Sequence, residues 1–297
     1  MNHSSGAMNF RNILLLLLLL PTLRLTAQNR KVDPTWLRRS IPIAGNREDL
    51  PVPCRYRPVF GEGDPDSPTL RTVTRFGEFT LKPNASCAAE VREREEELYF
   101  VLQGNPVIHY GAQAYTTQPN DFTYLAPGMG RSMTNSSPQI ARVLIMTFKI
   151  PPQVSIRAAS PTLRIVNLKD VKEQTVAGHP SSVLYKLLVG PGTATRDAID
   201  QAYVVTSLFW MDFAPGGTNF PHHHEAAEEI YLLIDGQGEM VAGSGMDGVE
   251  GRYRAQAGDA YYFRPNCTVG FYNENKPEAK AHILAVRARI PPPDADD

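Results

Sequence analysis

Short runs of Val, Ile, Leu, Tyr and Phe recur along most of the 297-residue chain, and Gly, Pro, Asn and Asp separate them. Apolar runs of this length, with turn residues between them at close spacing, predict β-strands. Small all-β domains must protect the open edges of their sheets, and closed barrels and double-sheet jelly rolls do this. The pattern therefore predicts an all-β protein built from barrels of this kind.

The strand-like blocks occur twice in the same order. Neither copy shows convincing helical periodicity. The two copies are related by shifts of 132, 138 and 140 residues, which match 95–104 with 227–236, 120–135 with 258–273, and 141–152 with 281–292. Because the shift grows only by loop-sized insertions, we expect two copies of one domain.

The chain begins with an apolar run, 13–20, that follows Arg11 and leads to the small residue Ala27. This order is typical of a secretory signal peptide, and the run is too short for a stable membrane anchor. We therefore expect cleavage near Ala27 and a secreted or periplasmic protein. The predicted organisation is a signal peptide (1–27), an extended N-terminal arm (28–70), a first barrel (71–152), an interdomain linker with one short helix (153–203) and a second barrel (204–292).

The charge balance limits the classes of partner that the chain can bind, and the number of cysteines limits its disulfide bonds. The chain has 30 Lys and Arg against 31 Asp and Glu, so it has no basic field that would attract nucleic acid or an anionic membrane. We expect a small-molecule ligand, no nucleic acid, no membrane contact after signal removal, and a monomer or homodimer. Of Cys54, Cys87 and Cys267 at least one must stay free or pair with another molecule, because their number is odd.

The residues with metal-binding chemistry lie in the second copy. His222 and His224 project to the same face of an extended strand, and Glu229 stands at the head of the next predicted strand. Two imidazoles and one carboxylate can converge on a divalent cation and leave coordination positions open. An isolated His triplet is more often a surface feature, but the flanking pattern favours a metal site.

That flanking pattern resembles the first motif of the cupin superfamily, G-x5-H-x-H-x(3,4)-E-x6-G, which is filled by Gly216, His222, His224, Glu229 and Gly236. The second cupin motif matches only in part, at Gly258 and Asn273, and Val269 stands at its histidine position. The resemblance covers both copies and identifies the chain as a bicupin. It implies two tandem jelly-roll barrels and a divalent metal ion, Fe, Mn, Zn or Ni, in the second.

The resemblance also implies a fourth ligand that Val269 cannot supply. The metal then has three protein ligands, or another group replaces the fourth. His282, on the predicted last strand, is the first candidate for that role, and Cys267, two residues before Val269, is the second. The predicted metal ligands are therefore His222, His224, Glu229 and His282.

The first copy has lost the ligand residues. Arg92 and Arg131 stand where His224 and Val269 stand in the second copy, and arginine has no lone pair to offer a cation. We expect no metal in the first barrel. Its charged residues, which include Glu90 and Glu97, either neutralise one another, which we favour, or form a pocket for an anion.

Three functions remain open. The first is an exported metal-dependent enzyme of oxygenase, isomerase or hydrolase type that acts on a small polar metabolite, with His223, Glu225 and Glu228 as weak candidates for supporting roles near the metal. The second is a noncatalytic protein that binds a sugar or another metabolite. The third is a barrel in which the metal is only structural.

Overall fold

Twenty β-strands carry nearly all the regular structure of the computed structural model, which describes residue 1 and residues 35–41, 52–244 and 249–290. Helical structure in these ranges is confined to two 3-10 turns, Ser67–Thr69 and Leu168–Asp170. None of the described segments forms a helix long and apolar enough to span a membrane. The prediction of an all-β fold is confirmed. Apart from Met1, the predicted signal peptide lies outside the described residues.

The first half of the chain forms one barrel from two facing sheets. A six-stranded sheet has the order β11-β8-β5-β10-β3-β2, and a four-stranded sheet has the order β4-β9-β6-β7. The strands from the start of the chain to the middle are β1 (Trp36–Ser40), β2 (Cys54–Gly61), β3 (Val73–Leu81), β4 (Ala85–Ser86), β5 (Glu95–Gln103), β6 (Val107–Tyr110), β7 (Gln113–Thr116), β8 (Asp121–Leu125), β9 (Arg131–Asn135), β10 (Ala141–Lys149) and β11 (Ile165–Asn167).

The second half repeats this arrangement. A seven-stranded sheet has the order β1-β18-β15-β20-β14-β12-β13, and it faces a three-stranded sheet, β17-β16-β19. These strands are β12 (Val183–Pro191), β13 (Ile199–Ala202), β14 (Val205–Phe213), β15 (Ala227–Asp235), β16 (Gln237–Ser244), β17 (Val249–Gln256), β18 (Asp259–Phe263), β19 (Cys267–Asn273) and β20 (Ala281–Arg289). Strands β5, β8 and β10 correspond to β15, β18 and β20 with the three shifts found in the sequence. The tandem-barrel prediction is confirmed.

The structure differs from the sequence prediction in the segments named arm and linker. The arm strand β2 pairs with β3, and the linker strand β12 pairs with β14 in the same way, so each is the outer neighbour of its barrel's first long strand. Two further pairings cross between the repeats: β1 joins β18 of the second barrel, and β11 joins β8 of the first. The predicted domain boundaries at residues 71 and 204 therefore cut off, from each barrel, strands that belong to its sheet.

Strand alternation divides the apolar residues into three clusters. One cluster fills each barrel, and the third packs the outer face of one large sheet against the outer face of the other. On β20, for example, Ile283 and Ala285 point into the second barrel, and Leu284 and Val286 point towards the first. Both barrels accordingly belong to a single compact unit, Pro34–Asp297.

Two buried glutamates join the barrels reciprocally. The carboxylate of Glu96, on β5, accepts hydrogen bonds from the backbone N–H groups of residues 203–205 and from the hydroxyl of Tyr124. The carboxylate of Glu228, on β15, accepts the equivalent bonds from residues 71–73 and from Tyr262. Each carboxylate thus binds the backbone that leads into the first long strand of the other barrel.

The pairing of the cysteines, left open by the sequence, is resolved in the structure. Cys54, on β2, forms a disulfide with Cys87, which follows β4. The bond joins the two sheets of the first barrel to each other. Cys267 is buried and forms no disulfide.

Candidate metal centre

Three of the predicted ligands converge inside the second barrel. His222 and His224 lie on the segment that leads into β15, and Glu229 lies on β15 itself with its side chain on the inner face. One ligand atom from each residue lies within 4.8 Å of the other two. No other group of three His, Cys, Asp or Glu side chains with this geometry occurs in the described parts of the chain.

Backbone hydrogen bonds to strand β19 hold the histidine segment in place. The N–H of His222 donates to the carbonyl of Val269 at 2.9 Å, and the N–H of Val269 donates to the carbonyl of His222 at 2.8 Å. The N–H of Asn266 donates to the carbonyl of His224 at 2.9 Å. Val269 therefore stands directly opposite His222, where it packs in the apolar core of the barrel with 1% of its surface exposed.

The His222 ring is oriented by its own segment. Its Nδ1 lies 2.8 Å from the carbonyl oxygen of Phe220. A carbonyl can only accept a hydrogen bond, so Nδ1 carries the proton and Nε2 keeps its lone pair free for a cation. Burial lowers the pKa of His222 from its ordinary value, which favours the neutral imidazole that metal binding requires.

Glu229 is the only one of the three that is fully buried. Burial opposes its ionisation, but contact with His224 and the charge of Arg287 bring the net pKa of Glu229 below its ordinary value. Its Oε2 lies 3.3 Å from Nε2 of His224 and makes no hydrogen bond to any described residue. A buried, ionised carboxylate oxygen without a donor is costly unless a cation completes its environment, so these residues fit a divalent ion.

Two further side chains face this group from other strands. Arg287, on β20, is paired in register with Glu229, and its Nη1 lies 3.1 Å from Nε2 of His224. Its Nε donates a long bond of 3.4 Å to the hydroxyl of Thr206. None of the described carboxylates lies within ion-pair distance of the Arg287 guanidinium. The guanidinium is therefore half-buried beside the ligands, and the charge of Glu229 acts on it without a direct ion pair.

Tyr185, on β12, supplies a hydroxyl on the other side. The hydroxyl is buried, and no described group forms a hydrogen bond with it. Burial, reinforced by the negative charge of Glu229, raises the pKa of Tyr185. The phenol is therefore a neutral hydrogen-bond donor directed into the barrel.

An open cleft of about 610 Å³ leads from this group to the surface. Both His224 and Arg287 line it, together with Arg196, Arg289 and Glu225. Arg196 pairs with Asp197 at 2.9 Å, so the positive potential of the cleft comes from Arg287 and Arg289 against Glu225, and it attracts small anions.

His282, the fourth predicted ligand, lies elsewhere, and this part of the site prediction needs correction. Its side chain is on the opposite face of β20 from Arg287, because the two are separated by an odd number of residues. Its Nδ1 lies 2.7 Å from Asp235 and its Nε2 lies 3.3 Å from Asp212. Both ring nitrogens therefore contact carboxylates outside the barrel interior.

The remaining candidates also have other roles. The thiol of Cys267 donates to the carbonyl of Gly243, and the carboxylate of Glu228 joins the barrels as described above. His223 and Glu225 are exposed and line the cleft without joining the metal group.

In the first barrel, Glu97 occupies the place of Glu229 and arginines surround it. Nε of Arg131 donates to Glu97 at 2.5 Å, and Nε of Arg92 lies 3.3 Å from the same carboxylate. Arg92 also pairs with Glu90 at 3.0 Å. This is the mutual neutralisation favoured from the sequence, and guanidinium groups occupy the position that a metal ion would need.

Sequence reasoning missed three residues of the site: His179, Tyr185 and Arg287. His179 and Tyr185 come from the segment that was predicted to be a linker, and no motif pointed to them. Arg287 could have been found from strand alternation, because it stands two residues after Ala285 on the inner face of the last predicted strand.

Comparison with known proteins agrees with this architecture. The family model described as "Cupin domain" matches residues 77–147 and 209–286, together half of the chain. No curated protein matches the chain significantly.

Several solved structures share the fold at low sequence identity. Protein Ylba from E. coli has 13% identity and a TM-score of 0.62, over 90% of this chain and 97% of its own. The oxalate decarboxylase of Lactobacillus farciminis, solved as a formate complex, has 13% identity and a TM-score of 0.60, over 86% of each chain. Vicilin from the hazelnut Corylus avellana has 10% identity and a TM-score of 0.52, over 73% of this chain and 75% of its own.

Proposed function

The chain belongs to the cupin family, and from this membership and the site we propose that it is a metal-dependent enzyme that acts on a small carboxylated metabolite. His222, His224 and Glu229 hold the divalent ion in the second barrel. The observation that carries the proposal is the guanidinium of Arg287, which lies next to these ligands without a direct ion pair to any described carboxylate and lines an open, positively charged cleft.

The charges at the site favour an anionic substrate. A divalent ion and Arg287 face a single ionised ligand, Glu229, so the occupied site keeps a net positive charge. Arg287 can hold a substrate carboxylate through two parallel N–H donors. The solved oxalate decarboxylase with the same fold supports a carboxylate substrate for this chain.

The residues of the chain have distinct tasks in this proposal. A bound divalent ion would supply Lewis acidity for isomerase and hydrolase chemistry, and a redox-active ion such as iron would supply the electrons for oxygenase chemistry. Arg287 orients the substrate anion, and the hydroxyl of Tyr185 donates a hydrogen bond to an oxygen inside the barrel. The apolar cluster around Val269 and Phe271 excludes water from the inner side.

Export is part of the proposal. The apolar run before Ala27 supports a cleaved signal peptide, and the Cys54–Cys87 disulfide supports an oxidising compartment. N-terminal sequencing of the mature protein tests this, and we expect it to begin shortly after Ala27. We further propose that the protein works as a monomer or homodimer.

A noncatalytic binding protein is the second candidate, and Val269 favours it, because the barrel is kept while the side chain that completes the cupin ligand set is lost. Vicilin shares the same fold.

One experiment separates the two candidates. The chain is loaded with Mn²⁺, Fe²⁺, Zn²⁺ or Ni²⁺ and incubated with oxalate, malonate, glyoxylate and tartrate, with and without oxygen, and mass spectrometry follows each compound. The enzyme proposal predicts metal-dependent consumption of a carboxylate by the wild type and none by His222→Ala. A carboxylate that binds in calorimetry and is recovered unchanged supports the binding protein instead.

A further inference from the structure

A third histidine ring lies beside the candidate metal centre. The ring centroids of His222 and His224 are 5.1 Å apart, and those of His222 and His179 are also 5.1 Å apart. Both pairs meet edge to face, with interplanar angles of 80° and 76°. His179 comes from the turn before β12, more than 40 residues before His222 in the sequence, and so outside the cupin motif.

The orientation of the His179 ring matches that of His222. Nδ1 of His179 lies 2.8 Å from the carbonyl oxygen of Asn219, and Nδ1 of His222 lies 2.8 Å from the carbonyl oxygen of Phe220. In each case the carbonyl accepts the Nδ1 proton, which leaves the lone pair on Nε2. A backbone carbonyl on one ring nitrogen is the arrangement that orients metal-binding histidines.

The surroundings of His179 hold the ring near His222. Tyr185 packs against it with a centroid distance of 5.4 Å. Asn219 is itself fixed, because its side chain donates to Tyr231 at 3.0 Å and accepts from the N–H of Phe271 at 2.8 Å. The carbonyl that orients His179 therefore belongs to one of the best-anchored residues of the barrel.

The strand that supplies the fourth ligand in the cupin motif offers none here. Val269 is apolar, and the thiol of Cys267 is directed at the carbonyl of Gly243. His179 does not belong to the group whose ligand atoms lie within 4.8 Å. It lies in a turn, Val176–His179, outside the strand ladders, and coordination by its Nε2 requires a small movement of this turn.

We propose that Nε2 of His179 is a fourth protein ligand of the metal ion held by His222, His224 and Glu229. It compensates for the valine at position 269. The inference rests on the proposed function, since it concerns the same metal centre.

The first test counts imidazole ligands in the unaltered protein. The wild type is loaded with one equivalent of Cu²⁺, and pulsed electron paramagnetic resonance measures the coupled imidazole nitrogens. Three coordinated imidazoles are expected, and a count of two overturns the inference. Because this readout needs no variant, it does not depend on whether a substituted chain folds.

The second test uses two variants of the same position. His179→Phe keeps an aromatic ring against Tyr185 but has no nitrogen, and His179→Ala removes the ring. We expect both to weaken Zn²⁺ binding at least tenfold in chelator competition and to reduce the imidazole count by one. His223→Ala, next to the ligands in sequence, and His282→Gln, on the opposite sheet face, are matched controls that should keep the wild-type affinity.

The outcomes separate this inference from the proposed function. Wild-type affinity and an unchanged imidazole count in His179→Phe overturn the role of His179 alone. If the wild type binds neither Cu²⁺ nor Zn²⁺, or if His222→Ala binds them as tightly as the wild type, the metal centre fails and the inference fails with it.

Discussion

Arg287 makes no direct ion pair with any described carboxylate, and its guanidinium lies beside the candidate ligand His224. We predict that Arg287→Gln weakens binding of malonate to the Zn²⁺-loaded protein at least tenfold, because the guanidinium then no longer pairs with a carboxylate in a partly desolvated site. Isothermal titration calorimetry measures this. Zn²⁺ affinity should be retained or improved, since a positive charge beside the ion is removed.

A matched variant makes this prediction specific. Arg289 lines the same cleft but is exposed and lies at the end of β20, two residues beyond Arg287. Arg289→Gln should change malonate affinity less than threefold. Equal losses in the two variants would mean that only the general potential of the cleft acts on the anion, against the role given to Arg287.

His282 has a separate, pH-dependent effect at the residue scale. The hydrogen bond with Asp235 and the charge of Asp212 raise the pKa of His282 from its ordinary value of 6.5. The folded protein therefore binds this proton more tightly than the unfolded chain does. The stabilisation is complete below about pH 6.5 and disappears as the pH rises through the folded-state pKa.

We therefore predict that His282→Gln lowers the free energy of unfolding at about pH 5.5 by on the order of 1 kcal/mol or less, because the ring is partly exposed. The difference from the wild type should shrink at alkaline pH. Urea unfolding of the metal-free protein at several pH values measures it. Trp210, whose ring lies 5.2 Å from that of His282, provides a fluorescence signal. A difference that grows with pH would contradict the assignment.

At the residue scale, the sequence was enough to predict those candidate ligands that lie close together in the chain. His222, His224 and Glu229 follow one another within eight positions, so strand geometry and motif spacing together were enough to identify them. His282 was placed wrongly because its face of β20 depends on register, and a shift of one residue reverses the face. His179 and Tyr185 reach the site through tertiary pairing, which leaves no local pattern.

Among the structural elements, the contacts that two buried glutamates make between the barrels are the most testable. Glu96 and Glu228 are fully buried, and each accepts three backbone hydrogen bonds from the other barrel. In Glu→Gln variants, one carboxylate oxygen becomes an NH₂ group that cannot accept them. We predict that Glu96→Gln and Glu228→Gln each lower the free energy of unfolding by about 1–3 kcal/mol, because buried N–H groups lose their acceptor.

Chemical denaturation measures both variants, and Glu95→Gln serves as a control, because Glu95 is next to Glu96 but points to a partly exposed arginine. The pseudo-symmetry predicts similar losses for Glu96→Gln and Glu228→Gln. A lower free energy of unfolding in only one of the two variants would show that the contacts of Glu96 and Glu228 are not equivalent.

The strands outside the two repeats explain why the domain boundaries were harder to predict than the strands within the repeats. β5, β15, β10 and β20 are nine-residue strands, and each contains four or five consecutive apolar residues, which is a strong strand signal. β1 and β11 have five and three residues and pair with partners across the repeat boundary. Nothing local in the sequence distinguishes such strands from an extended arm or a linker.

For the whole molecule, the two barrels share a backbone plan and differ in the side chains that surround their central glutamate. The first barrel surrounds Glu97 with guanidinium groups, and the second places Glu229 beside two imidazoles. Arg131 forms a buried ion pair with Glu97. A metal ion in the first barrel would have to break this pair, which is unfavourable. Among the described residues, the fold therefore provides two barrels and one candidate metal centre.

The metal content of the chain tests the proposed metal centre most directly. The chain is purified without a histidine tag, and elemental mass spectrometry measures the bound metal. We predict one equivalent of divalent metal per chain in the wild type and none in a folded His222→Ala/His224→Ala variant. No metal in the wild type after incubation with Mn²⁺, Fe²⁺, Zn²⁺ and Ni²⁺, or metal that remains bound in the double variant, would contradict the assignment of the centre to the second barrel.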